Sequence, residues 1–166
     1  MNNTLPPLPV LAAAVAELLK ARNQTIAVAE ASCGGLISAA LLAVPGASAY
    51  YIGSVVVYTR QAWDAMRDFR EEELGGIRAA TEHNALVRAR IARERFATIW
   101  GVGETGAAGP TGNRYGDPAG HTCVAVVGPL ERARTLRTGK SERMENMHAF
   151  AEAALKLLVE CLEAQP

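Results

Sequence analysis

The chain predicts an α/β fold, and three features carry that expectation. Strand-like apolar runs alternate with helix-periodic stretches along most of the 166 residues, the pattern of a sheet covered by helices. The first strand-like run, residues 25–29, passes directly into Glu30, Ala31, Ser32, Cys33, Gly34 and Gly35 and then into an Ala/Leu-rich segment. Open α/β sheets place ligands at such strand-to-helix turns. A hydrophobic share of 49% against 20% charged residues supports one substantial core, hence a single domain over residues 1–166.

Taken in order, residues 7–22 read as an amphipathic helix, with Leu8, Leu11, Ala12, Val15, Leu18 and Leu19 at helical intervals. The strand at 25–29 follows. Gly34 and Gly35 permit positive φ or close backbone approach, while Glu30, Ser32 and Cys33 offer polar groups at the mouth of a pocket. Residues 36–43 form a short helix whose Ala and Leu content suits packing on the sheet, and Pro45-Gly46 ends it. Residues 52–58 are the next strand. If strand ends align, Tyr58, Thr59 and Arg60 reach the edge of the first pocket; a tyrosine whose hydroxyl satisfies a backbone group is the equal alternative.

Residues 61–73 are polar and helix-compatible, anchored by Trp63 and Phe69. Residues 82–96 form a helix with Ala85, Ala89, Ala92 and Phe96 along one side. His83 near its start reads as a solvated or capping residue, since no second histidine or carboxylate stands at metal-site spacing and no metal is expected. Residues 98–103 make another strand. The glycine-rich segment 104–113 after it can present backbone N–H groups to an anion or a carbonyl oxygen. It lacks the ending of a P-loop and the spacing of a dinucleotide fingerprint. Arg114 and Asp117 read as a solvated loop pair. Residues 118–127 lead into a buried strand, and 132–138 are its hairpin partner in a register that the alternation does not fix. Ser141 is placed to cap a long final helix whose inner stripe includes Met144, Met147, Ala151, Leu155, Leu158 and Leu162.

Seventeen basic and seventeen acidic residues cancel, which leaves no global electrostatic footprint for nucleic acid or an anionic membrane. Cys33, Cys123 and Cys161 are odd in number and far apart, so they read as reduced thiols rather than a zinc site or a secreted disulfide framework. No apolar run approaches the length of a membrane span, and the N-terminus lacks the pattern of a signal peptide. The expected location is the cytoplasm.

Several short blocks, in order and approximate spacing, resemble the CinA C-terminal family, the nicotinamide mononucleotide deamidases. They are residues 29–35 (Ala-Glu-Ala-Ser-Cys-Gly-Gly), 44–48 (Val-Pro-Gly-Ala-Ser), Val57-Tyr58, 105–110 (Thr-Gly-Ala-Ala-Gly-Pro) and 118–120 (Pro-Ala-Gly). The resemblance covers almost the whole chain. It implies a three-layer α/β/α domain, an often oligomeric family and hence a candidate homo-oligomer, no cofactor, and hydrolysis of the carboxamide of a pyridine nucleotide to a carboxylate and ammonia.

The implied catalytic pair is altered. The family usually has Ala-Glu-Ser-Cys-Thr-Gly-Gly at the first pocket, which places Ala31 at the serine position. It usually has Tyr-Ser-Asn-Glu-Ala-Lys later, which places Trp63 at the lysine position. An indole cannot take a proton from an attacking hydroxyl. In an active hydrolase, Ser32 or Cys33 would be the nucleophile, a cysteine needing an accessible thiol of lowered pKa. Tyr58 or Thr105 would assist proton movement, and backbone groups at Gly34, Gly35, Gly106 and Gly109 would hold the oxyanion. The family's basic segment before the last helix is weakened here, leaving Lys140 and Arg143 as phosphate-binding candidates. The reading these departures favour is a retained pocket for a nucleotide or other small metabolite with lost or altered turnover. An active amidohydrolase and a protein-interaction module are the alternatives.

Overall fold

The computed structural model describes residues 8–66 and 77–165. Its centre is a mixed five-stranded sheet in the order β2-β1-β3-β4-β5, made of β1 (Ile26–Glu30), β2 (Tyr51–Val56), β3 (Trp100–Ala107), β4 (His121–Val127) and β5 (Glu131–Arg137). β1 runs parallel to both β2 and β3. β3, β4 and β5 form an antiparallel meander whose register pairs Thr105 with Cys123 and Cys123 with Thr135. The hairpin expected at 132–138 is therefore present, and backbone pairing fixes the register that side-chain alternation left open.

Helices cover both faces. On one side lie α1 (Leu8–Ala21), α2 (Leu36–Leu42) and α5 (Arg143–Ala164), whose apolar stripes meet Ile26, Val28, Trp100, Val102, Val124 and Val126 in the main core. On the other lie α3 (Arg60–Ala65) and α4 (Glu82–Arg95). There Ala85, Ala89 and Ala92 of α4 pack on small sheet residues such as Ala27, Ala29 and Ala125, and Trp63 and Met66 close over Val87 and Ile91. The two faces differ in the size of what is packed between the layers. A Cβ on Gly101 would stand 2.1 Å from the carbonyl oxygen of Ala89, and one on Gly103 would stand 2.0 Å from that of Ala85. α4 thus rests on the bare backbone of β3, at a separation no other residue type permits.

Local chemistry accounts for most boundaries. Thr59 and Thr81 cap α3 and α4, their hydroxyls accepting from Ala62 N and Asn84 N. Ser141 does not cap α5. Glu142 holds that position without a side-chain bond, and the end of the helix is secured instead by Asn146 from within. Met144 is 59% exposed and so falls outside the inner stripe expected of it, whereas Met147 packs against the core. His83 is exposed beside the Thr81 cap. The remainder of the helix expected at 61–73, with Phe69, lies outside the described residues.

The largest shift in element boundaries is at residues 104–113. β3 continues through Ala107, so Glu104, Thr105 and Gly106 are strand residues and not part of a glycine-rich loop. Asp117 is likewise no solvated partner of Arg114: its carboxylate is bonded by Arg78 and by Asn113 Nδ2.

Candidate functional site

The parallel pairing of β1 with β3 ends at Ala29 and Gly103, and Glu30 and Glu104 are the next residue of each strand. Both are completely buried, and every approach to their oxygens is made by the chain itself. Glu104 accepts from Ala31 N at 3.0 Å, Cys33 N at 2.9 Å, Thr122 Oγ1 at 3.1 Å and the Ser32 hydroxyl. Glu30 accepts from Gly35 N at 2.9 Å, Ile37 N at 3.2 Å, Ser38 N at 2.8 Å and the Ser38 hydroxyl. One glutamate therefore fastens the turn after β1, and the other satisfies the open N–H groups at the start of α2. Burial raises the Glu30 carboxyl above its usual range, against the lowering effect of the Ser38 and Ile37 donors.

This arrangement decides what Ser32 and Cys33 can do. Ser32 is 2% exposed, with its hydroxyl donated to Glu104. Cys33 is fully buried, and burial, followed by the charges of Glu104 and Glu30, pushes its thiol well above 9.0. A nucleophilic thiolate requires the opposite shift. The start of α2 lowers nothing here because Glu30 already occupies it. Gly34 and Gly35 do adopt positive φ, 64° and 100°, and Gly35 N–H is spent on Glu30.

Thr105, next along β3, turns to the α4 face. Its hydroxyl accepts from Ala80 N at 3.0 Å, while His121 Nε2 at 2.9 Å and Cys123 Sγ at 3.5 Å address the carbonyl of the same residue. The three side chains pin the segment leading into α4, where Ala80 has a φ of 56°. Beside them Arg88 is 4% exposed. Its Nε donates to Asn84 Oδ1 at 2.7 Å, its Nη1 donates to the Val57 carbonyl at 3.2 Å, and its guanidinium lies 4.5 Å from the centre of the Trp63 ring. Burial lowers its pKa to about 10, opposed by the charge of Glu104. Trp63 thus lies stacked on a buried cation.

At the rim, Tyr58 is exposed and its hydroxyl accepts from Arg143 Nη2 at 2.9 Å, while Arg143 Nη1 donates to the Gly109 carbonyl at 2.5 Å. Tyr58, Gly109 and Arg143 are therefore brought together. Lys140 turns away to pair with Glu145 at 3.0 Å on the surface. Gly106 is not a cradle, because a Cβ there would meet the His121 carbonyl at 2.6 Å. Asn146, wholly buried, donates to the carbonyls of Ala108 at 2.8 Å and Lys140 at 3.0 Å, tying both loops to α5. Among the described residues no group of His, Cys, Asp and Glu side chains is arranged to hold a metal ion, and no helix is long and apolar enough to cross a membrane. A depression of about 320 Å³ on α4, lined by His83, Val87, Arg90 and Glu94, contains none of the candidate site residues taken from the sequence.

Glu104, Arg88, Asn84 and Asn146 are the residues sequence reasoning missed. An acidic residue between two glycine-flanked strand positions, and an arginine on the alanine face of a helix, were the available signals.

The fold, the turn after β1 and the 105–110 segment can be set against known proteins. The profile of the CinA C-terminal domain matches residues 9–162. The chain belongs to the CinA C-terminal domain family. A CinA-like protein of Salinibacter ruber is 38% identical over 146 residues, covering 88% of this chain and 35% of the relative. One of Gloeobacter violaceus is 38% identical over 150 residues, covering 89% and 35%. The chain spans roughly a third of the length of these relatives. Among solved structures, the competence/damage-inducible protein CihA of Agrobacterium tumefaciens superposes with a TM-score of 0.85 at 28% identity, covering 98% of this chain and 99% of that one. The competence damage-inducible protein A of Klebsiella pneumoniae gives 0.88 at 25% identity, covering 96% and 99%. The CinA C-terminal fold is thus complete in this chain, and the glutamate-held turn and the Arg88–Trp63 stack are built inside it.

Proposed function

We propose that this CinA C-terminal domain binds a nucleotide or other small metabolite, with pyridine nucleotides the first class to test, and that the amide hydrolysis implied by the family resemblance is lost or altered. The observation that carries this reading is the pairing of two changes. Ala31 removes the hydroxyl at the expected nucleophile position, and Trp63, stacked on Arg88, replaces the expected base with a flat apolar wall. The neighbouring Ser32 and Cys33 are buried and give no ready substitute. The test is calorimetric titration with a nucleotide panel, alongside incubation with nicotinamide mononucleotide while ammonia and nicotinic acid mononucleotide are measured. Binding without product is expected. Product formation at the rate of a working enzyme would sink the reading, and absence of binding by every nucleotide would favour a protein-interaction role. Restoring the pair with Ala31→Ser and Trp63→Lys is expected to raise turnover above the wild-type level.

A second reading has one specific observation behind it. The Ser32 hydroxyl donates to Glu104, a carboxylate able to take its proton, so a serine shifted by one position would have a base. This active-hydrolase reading requires the turn to open, and it predicts product from the wild type that Ser32→Ala abolishes.

A further inference from the structure

Arg88 is the group in this molecule whose chemistry the chain leaves incomplete. It is 4% exposed, and among the described residues it makes no ion pair. Its partners are neutral: Asn84 Oδ1, the Val57 carbonyl and the Trp63 ring. The nearby carboxylate, Glu104, is committed to four donors of its own. A buried cation without a counter-ion is costly to a fold. Nη2 has no hydrogen-bond partner among the described residues. The only sealed side-chain nitrogen or oxygen among them that lacks a partner is His121 Nδ1, so Nη2 of Arg88 touches an opening.

The opening is in a telling place. Val57, whose carbonyl holds Nη1, donates its own N–H to the Glu30 carbonyl at 2.9 Å, so the guanidinium sits across from the residue that precedes Ala31. Trp63 covers it from the other side. A guanidinium carries donors only, and it binds planar oxyanions through parallel N–H bonds. A carboxylate presents two acceptors to such a group. A carboxamide presents one acceptor and an NH2 that meets another donor.

We propose that Arg88 is an anion-binding residue of this pocket and that the ligand it selects carries a planar carboxylate beside Ala31. The inference rests on the pocket reading above and sharpens it: the site recognises the acid, not the amide. Arg88 supplies the charge, Trp63 the flat surface against which a ring or carboxylate lies, and the methyl of Ala31 takes no part in bonding.

Titration calorimetry with nicotinic acid mononucleotide, nicotinamide mononucleotide and ribose 5-phosphate tests this on the wild type, Arg88→Gln and Arg88→Lys. The wild type is expected to prefer the acid by about tenfold or more, the scale of one charge-assisted contact. Arg88→Gln removes that preference and leaves ribose 5-phosphate binding unchanged, and Arg88→Lys, which keeps the charge, retains part of it. Equal binding of acid and amide by the wild type overturns the role of Arg88 while leaving the pocket standing. Loss of ribose 5-phosphate binding in Arg88→Gln overturns it in favour of phosphate recognition. If neither nucleotide binds, the pyridine-nucleotide reading falls, and benzoate against benzamide decides the carboxylate proposal by itself: quenching of tryptophan fluorescence by benzoate alone, lost in Arg88→Gln, supports it, and no response to benzoate overturns it.

Discussion

The two faces of the sheet, at the ends of β1 and β3, bury charge in opposite ways. On the α2 and α5 side, Glu30 and Glu104 receive four donors each. On the α4 side, Arg88 has two acceptors, an aromatic ring and one nitrogen without a partner among the described residues. The glutamates are equally deep, yet their coordination is closed, as in a structural site. Burial alone therefore does not separate scaffold from site in this domain. Completeness of hydrogen bonding does, because a closed shell leaves no gain for a ligand to make, whereas an open one does.

The sharpest way to break this comparison is at Glu104. Glu104→Ala strands two backbone N–H groups and the Ser32 hydroxyl in the core, Thr122 keeping the Thr105 carbonyl, and is expected to cost about 4 kcal/mol, read as a fall in the urea unfolding midpoint. A loss below about 1 kcal/mol would mean that the turn is held by something else. Ser38→Ala removes one hydroxyl donor from the carboxylate of Glu30 and is expected to cost about 1.5 kcal/mol in the same measurement. Arg88→Gln, despite the depth of the residue, is expected to cost about 1 kcal/mol or less, since it removes an uncompensated charge along with its bonds. A loss as large as that of Glu104→Ala would place Arg88 with the scaffold and erase the contrast.

The smallest effect is expected from pH. Below the unfolded-chain value near 9.0, both states keep the Cys33 thiol protonated and its contribution to stability is fully present. As pH rises above that value the unfolded chain releases the proton while the folded protein, whose thiol is raised, holds it, so stability falls. Unfolding midpoints measured from pH 8 to about pH 10 should decline less steeply in Cys33→Ala than in the wild type. Iodoacetamide should leave Cys33 unmodified in the folded protein; rapid modification would reopen the thiol as a nucleophile.

Much of the fold was legible because it rests on periodicity. The apolar runs at 25–29 and 118–127 and the helical stripes at 7–22 and from 141 onward are local patterns, and the structure keeps them within a few residues. The strand-to-helix turn itself was legible for the same reason. The roles inside it were not. Ser32 and Cys33 read as reactive because small polar residues beside glycines are what an open turn would show, and nothing local says that a glutamate 72 residues later takes the Ser32 hydroxyl. Glu104 itself was hidden by its glycine neighbours, which suggested a loop. Gly103 serves the α4 contact instead, and Gly106 lies against His121 and Thr122 of β4. Arg88 was overlooked because an arginine on a helix is ordinarily solvated, and its burial follows from Trp63 of α3 and the Val57 carbonyl after β2 closing on it beside Asn84 of its own helix.

The bare strip at Gly101 and Gly103 has a consequence for how such a domain changes. Because α4 meets β3 backbone to backbone, the gap between them is fixed by main-chain atoms and not by side chains. Positions 84 and 88 on that helix can therefore be exchanged without moving it. The helix behaves as a fixed mount with interchangeable side chains: the groups it presents can change while its distance from β3 stays the same.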